Sequence, residues 1–249
     1  MRILVFLRII ALSYLGLCIL LFFIQRSLIY FPQPASVKGD VLTLSVRDAH
    51  VLAATREAAG PSALLYFGGN AEDVSRTVAD LAGTFPGAAL YGLHYRGYGG
   101  STGSPSETAL FNDALALFDH VHAAHPEVTI IGRSLGSAIA VFVASRRPTK
   151  RLVLVTPFDS LADAAAAHYP FLPVKWILRD KFESGRYAPL VSAPTLIVAA
   201  ENDELIPRES TERLSRRFRP GLSTTVVLSG DHNSVSGDPR YVSLLADRP

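Results

Sequence analysis

Six short apolar runs, residues 63–67, 88–93, 128–131, 152–156, 195–199 and 224–228, recur along the second and later parts of this chain. Runs of that length without polar alternation are what strands buried on both faces require. Between them lie segments with helical patterning at 72–85, 107–124, 134–146 and 209–218, and a last one near 241–246. In the second of these, Ser106 is placed to act as N-cap, and Ala109, Leu110, Ala114, Leu117 and Phe118 make one apolar stripe. Two polar-alternating runs, 41–46 and 51–55, come first and read as an antiparallel pair around Asp48, Ala49 and His50. Alternating strand and helix predicts an α/β fold: a mostly parallel central sheet with helices on both faces. Ligands of such sheets bind beyond the carboxyl ends of the strands, so chemistry is expected there.

The pattern G-x-S-x-G occurs twice, at Gly132-Arg133-Ser134-Leu135-Gly136 and at Gly99-Gly100-Ser101-Thr102-Gly103. A nucleophile elbow needs a strand that ends in the motif and a helix that begins in it, so that the serine sits on a strained turn. Ser134 has the strand 128–131 before it and a helix of small residues after it. Ser101 lies well past the strand ending near Leu93, and Pro105 intervenes before a helix can start, so it reads as part of a glycine-rich loop. The plainer reading of Ser134, a serine N-cap on an ordinary strand-to-helix turn, loses ground if a base and an acid stand in the right places.

A serine hydroxyl becomes a competent nucleophile when a histidine takes its proton and a carboxylate fixes that histidine's tautomer. Of seven histidines, His120, His122 and His125 sit on or just after a helix and read as surface residues, and His50 falls in the hairpin turn. His232 follows the last strand in "VVLSGDHNSV" and is the best base. Asp203, a few residues after the strand 195–199, is the preferred acid, with Glu201 and Asp159 as competitors at strand ends. The order Ser134, Asp203, His232 is the nucleophile–acid–histidine order of one fold family in particular.

Residues 3–24, "ILVFLRIIALSYLGLCILLFFI", match the length of a membrane-spanning helix, with Arg8 as the single charge near enough to the amino end to snorkel. Gln25, Arg26, Tyr30 and Phe31 follow as interfacial residues. A cleaved signal peptide is the rival reading, but no A-x-A site follows, and the bulky Leu17 before Cys18 argues against a lipidated cysteine. The expected organisation is an anchor at 1–26, a linker at 27–39 and a catalytic domain at 40–249. The protein is expected to be a single-pass membrane protein with its domain outside the cytoplasm, because only two residues precede the apolar run. A net charge of +2 with both signs interspersed leaves no footprint for nucleic acid, and a lone cysteine excludes an intrachain disulfide.

The segments "RSLIYFP", "LLYFGGNAEDV", "HYRGYGGSTGSPSE", "IIGRSLGSAIA", "LVTPFDSL", "APTLIVAAENDELIP" and "GDHNSV" together resemble the alpha/beta-hydrolase superfamily from Ser27 onward. The likeness is greatest to its single-span membrane members, such as protein depalmitoylases and bacterial serine esterases. The resemblance implies that Gly68-Gly69-Asn70 is the oxyanion turn, whose backbone amide at Asn70 joins that of Leu135. It also implies that Arg96, Tyr98 and Glu107 brace a neighbouring loop, and that residues 158–188 form a cap. Two positions depart from the pattern: Gly68 stands in place of a histidine, and His94 in place of an aspartate. Tyr169, Phe171, Leu172 and Trp176 of the cap line an acyl pocket, touch lipid, or pack on the sheet. The expected function is a serine hydrolase of esters or thioesters with a small-molecule or lipid-like acyl substrate, a membrane contact through the N-terminal helix, and no metal or organic cofactor. The alternatives are a peptidase of the same fold and a non-catalytic binding protein.

Overall fold

In the computed structural model, which describes residues 2–246, eight strands form one sheet in the order β1-β2-β4-β3-β5-β6-β7-β8. They are β1 (Asp40–Val46), β2 (Ala49–Arg56), β3 (Ser62–Phe67), β4 (Ala89–Leu93), β5 (Glu127–Arg133), β6 (Arg151–Val155), β7 (Thr195–Ala200) and β8 (Ser223–Leu228). β2 runs antiparallel to both neighbours, and the pairings from β4 through β8 are all parallel. Met1 and residues 247–249, assigned from sequence to the ends of the anchor and the catalytic domain, lie outside the described residues.

Period-two alternation in the central strands divides their side chains between two cores. Leu65, Phe67, Ile130 and Leu154 face the core under α3 (Glu107–Ala124) and α4 (Leu135–Ala144). Leu64, Tyr66, Ile131 and Val153 face the opposite core, with α2 (Val74–Leu81) and α9 (Tyr241–Ala246). This is why the strand segments read as unbroken apolar runs: both of their faces are covered. On the first face Phe111 of α3 stacks on Phe142 of α4, ring centroids 3.9 Å apart, fixing the two helices side by side.

Several boundaries differ from the sequence reading for local reasons. The helix expected over 72–85 is the shorter α2, starting after Asp73, which caps it, its carboxylate accepting from Ser75 N. His50 is a β2 residue opposite Ser45, because the hairpin turns one step earlier, at Arg47 with φ 50°. His125 is buried, its Nδ1–H donating to the Gly60 carbonyl at 2.8 Å, and is not a surface residue.

Between β6 and β7 the chain leaves the sheet to form α5 (Leu161–His168), α6 (Val174–Ile177) and α7 (Ser184–Tyr187), followed later by α8 (Arg208–Arg217). The N-terminal helix α1 (Arg2–Ile29) runs three residues beyond the predicted anchor. It is the one described helix long and apolar enough to cross a membrane, a test that a signal sequence also passes. Most of its apolar side chains are exposed, but its C-terminal end docks on the 158–188 segment: Arg26 Nε donates to Asp180 at 2.9 Å, and Tyr30 Oη donates to the same carboxylate at 3.1 Å.

Candidate active site

Ser134 joins β5 to α4 with φ 49° and ψ −116°. An L-residue held there stores roughly 1–3 kcal/mol of strain, which the surroundings must over-determine. Two glycines make the turn possible. A Cβ on Gly136 would strike the carbonyl oxygens of Phe67 and Gly68, and one on Gly132 would strike the Gly136 carbonyl and Ala140. The turn is fastened from the far side by Ser134 N, which donates to Val155 O at 2.9 Å.

His232 is buried in the loop after β8. That loop is pinned by carboxylates: Asp238 accepts from Ser229 N and Oγ, both at 2.9 Å, and Asp231 accepts from Ser234 N at 2.8 Å. His232 Nε2 lies 2.9 Å from Ser134 Oγ, and Nδ1 lies 2.9 Å from each oxygen of Asp203. An ionised carboxylate only accepts, so the proton sits on Nδ1 and Nε2 is left to accept from the serine hydroxyl. Asp203 is oriented in turn by Leu205 N at 3.0 Å and Ile206 N at 2.8 Å. The three residues chosen from sequence are thus brought into one hydrogen-bonded chain.

The competing acids lie elsewhere. Glu201 is exposed at the end of β7. Asp159 faces Arg213 at 3.7 Å, and burial pushes its carboxyl above the usual range. Ser101 is a buried brace of the glycine-rich loop, its Oγ donating to His94 O at 2.8 Å and accepting from Leu52 N at 2.9 Å.

Asn70 and Leu135 line the same cleft as Ser134 and His232. Leu135 is the first residue of α4, and the first N–H groups of a helix have no intrahelical partner, so its amide is free for an anion at the positive end of the helix. The Asn70 side chain is occupied in a clamp: its Nδ2 donates to Ile29 O, and its Oδ1 accepts from Tyr98 Oη at 2.8 Å and Phe31 N at 3.1 Å. The end of α1 and the turn at residues 68–70 are therefore bonded through one side chain.

Two positioning residues escaped the sequence reading. Glu72 accepts from Gly69 N at 2.6 Å and from Tyr66 Oη at 2.7 Å, holding the turn that carries Asn70. Arg133, the residue before the serine, reaches Glu72 at 3.3 Å and also donates to His232 O at 3.4 Å. It ties the Asn70 turn to the histidine loop. The signal was available, since an arginine inside G-x-S-x-G projects at a strand's carboxyl end, but its partners are distant in sequence.

The two departures from the family pattern are accommodated sterically. A Cβ at Gly68 would come within 2.6 Å of Val74 Cγ1, so the turn has no room for a side chain there. His94 packs under Gly99, where a Cβ would strike its ring, and burial lowers its pKa. Of the bracing residues, Arg96 is paired with Asp113 at 2.8 Å and with Asp48 at 2.8 Å, and Glu107 accepts from Lys181 N at 2.8 Å.

The cleft over Ser134 has a volume of about 580 Å³ and a mainly apolar wall, with Leu28, Ile29, Phe158, Leu161, Leu178 and Ile206 among its residues and the polar side chains of His168 and Tyr169 also on it. Such a shape suits a substrate with a hydrocarbon part and a single reacting polar centre.

This sheet, elbow and cleft define a hydrolase architecture, and comparison with known proteins agrees. The chain belongs to the alpha/beta-hydrolase superfamily. Residues 65–187 match the family model described as serine aminopeptidase, S33. The uncharacterized protein Rv2307c of Mycobacterium tuberculosis is 36% identical over 244 residues, covering 90% of this chain and 86% of that protein. Lysophosphatidylserine lipase ABHD12 of Xenopus tropicalis is 32% identical over 157 residues, covering 55% of this chain and 41% of the lipase. Among solved structures, Pyrococcus furiosus esterase Pf2001 superposes with a TM-score of 0.69 at 15% identity, covering 87% of this chain and 97% of the esterase. The thioesterase domain from the curacin biosynthetic pathway gives 0.61 at 16% identity, covering 84% of this chain and 98% of that domain. At such identities the structural likeness speaks to fold alone.

Proposed function

We propose that this chain is a membrane-anchored serine hydrolase that cleaves carboxylic esters or thioesters through an acyl-Ser134 intermediate. The observation that carries the reading is the 2.9 Å approach of His232 Nε2 to the Oγ of a serine held at a strained elbow, with Asp203 2.9 Å behind the ring. In this mechanism His232 takes the Ser134 proton as Oγ attacks the acyl carbonyl, and the Asn70 and Leu135 amides receive the oxyanion. His232 then protonates the departing alcohol or thiol. A water, deprotonated by the same Nε2, releases the acid and restores the serine. Asp203 keeps the ring in the Nδ1–H tautomer and stabilises the imidazolium throughout.

Lipase relatives and an apolar cleft favour a lipid-like acyl substrate. The matching family model is described as an aminopeptidase, which makes peptide cleavage the second reading. An aminopeptidase must hold a substrate ammonium, however, and no carboxylate is among the residues that line the cleft. The anchor is α1, with the catalytic domain on the non-cytoplasmic side, a disposition that protease digestion of sealed, oriented vesicles checks. The test of function is turnover of paired nitrophenyl esters, thioesters and anilides. Esters or thioesters are expected to exceed anilides by orders of magnitude. Ser134→Ala is expected to lower kcat by about 10⁴-fold or more. Comparable anilide turnover establishes the peptidase, and undiminished turnover in Ser134→Ala refutes the nucleophile.

A further inference from the structure

A second apolar cleft, of about 380 Å³, lies between α1 and the 158–188 segment, and it shares Leu28, Ile29, Ala165, Tyr169 and Leu178 with the cleft over Ser134. The two clefts adjoin across these residues, and one wall of the second is the helix long enough to cross a bilayer. The other is the tip of the cap, residues 169–177, whose Phe171 and Trp176 are 88% and 90% exposed. Side chains that large and apolar are rarely left in water on one short segment.

Most backbone N–H groups of the tip are bonded within the protein, those of Phe171 and Lys175 excepted. Within the segment, Leu172 N bonds to Tyr169 O, Trp176 N and Ile177 N to Pro173 O, and Leu178 N to Val174 O. Pro170 and Pro173 carry no N–H. The helix α1 satisfies three further groups: Tyr14 Oη donates to Phe171 O at 2.8 Å, Gln25 Nε2 donates to Ile177 O at 3.1 Å, and Gln25 Oε1 accepts from Arg179 N at 2.6 Å. Internal satisfaction of this kind is what hydrocarbon demands of irregular backbone.

Depth follows from helix geometry. Tyr14 precedes Arg26 by twelve residues, or about 18 Å along the axis of a straight helix. With Arg26 at the headgroup level, the Phe171 carbonyl bonded to Tyr14 lies close to the middle of a hydrocarbon layer of about 30 Å, at the deep limit of that leaflet. The one cation of the tip, Lys175, is paired with Asp163 of α5, toward the body of the domain.

We propose that the cap tip is immersed in the same leaflet as the C-terminal half of α1, and that the groove between them is a lateral entry. Through it the acyl chain of a lipid in the surrounding bilayer reaches Ser134. The entry role rests on the serine hydrolase reading; the immersion does not. Once the ester of such a lipid is at Ser134, its chain stays in the groove and need not cross water.

Trp176 is the single tryptophan of the sequence, so its fluorescence reports the tip directly. The full chain is reconstituted in phosphatidylcholine vesicles with bromines at defined acyl positions. Blue-shifted emission, quenched by acyl-chain bromines and shielded from aqueous iodide, is expected. Emission as in water, or blue-shifted emission that brominated chains do not quench because a protein partner covers the tip, overturns the proposal. A second measurement fills the groove with Ile177→Trp and compares long-chain with short-chain esters. The long-to-short ratio of kcat/KM is expected to fall about tenfold, the equivalent of two buried methylenes. An unchanged ratio rejects the entry route. If neither ester is turned over by the wild type, the hydrolase reading fails, while the quenching result still stands or falls by itself.

Discussion

Ser134 shows how a site position can be unfavourable for the fold. Its backbone strain is imposed by the close passage of α4 over the end of β3, which Gly132 and Gly136 permit. Ser134→Gly should therefore abolish turnover while stabilising the protein by about 1–2 kcal/mol, since glycine adopts positive φ without that cost. Calorimetry of the two proteins in one detergent checks this, and an unchanged or lower Tm would mean that the elbow is not strained. Ser134, Asp203 and His232 were legible from sequence because each stands at a strand's carboxyl end, where the strand pattern announces it. Glu72 and Arg133 were not, because their roles are contacts to Gly69 N and His232 O that no local pattern encodes. Nor was the clamp at Asn70, although the resemblance had marked its backbone.

At the level of elements, α1 is more than an appendage to the sheet. Arg26 and Tyr30 hold the buried Asp180, and Asn70 holds the Ile29 carbonyl, so the end of the helix grips both the 158–188 segment and the turn at residues 68–70. Arg26→Ala removes the cation from a buried carboxylate and should cost about 1–3 kcal/mol, with Arg26→Lys recovering part of it. Faster hydrogen exchange across residues 158–188, with the sheet unaffected, is the expected signature; exchange identical to wild type would show the cap held by other contacts. The helix 107–124 was readable to the residue because Ser106 caps it and its stripe is regular. The helix α5 went unread because its run of alanines has no stripe, although Ser160 and Asp163 carried a cap signal. Residues 158–188 could be placed between two strands, but their packing against α1 depends on an element more than a hundred residues away.

Considered whole, the molecule places the strained Ser134, hydrogen-bonded to His232, at the meeting point of a parallel sheet and an apolar groove walled by its own N-terminal helix. The alternation of apolar runs was enough to give the sheet and its two covered faces; it could not give the groove, which exists only once α1 lies along the cap. Everything functional depends on Ser134 being the nucleophile. Peptide mapping by mass spectrometry, after the full chain is treated with a fluorophosphonate, addresses that directly. One adduct, on Ser134, diminished by prior incubation with an ester substrate and absent from Ser134→Ala and His232→Ala, is the expected result. No adduct on the wild type, or an adduct on another serine such as Ser101, would contradict it.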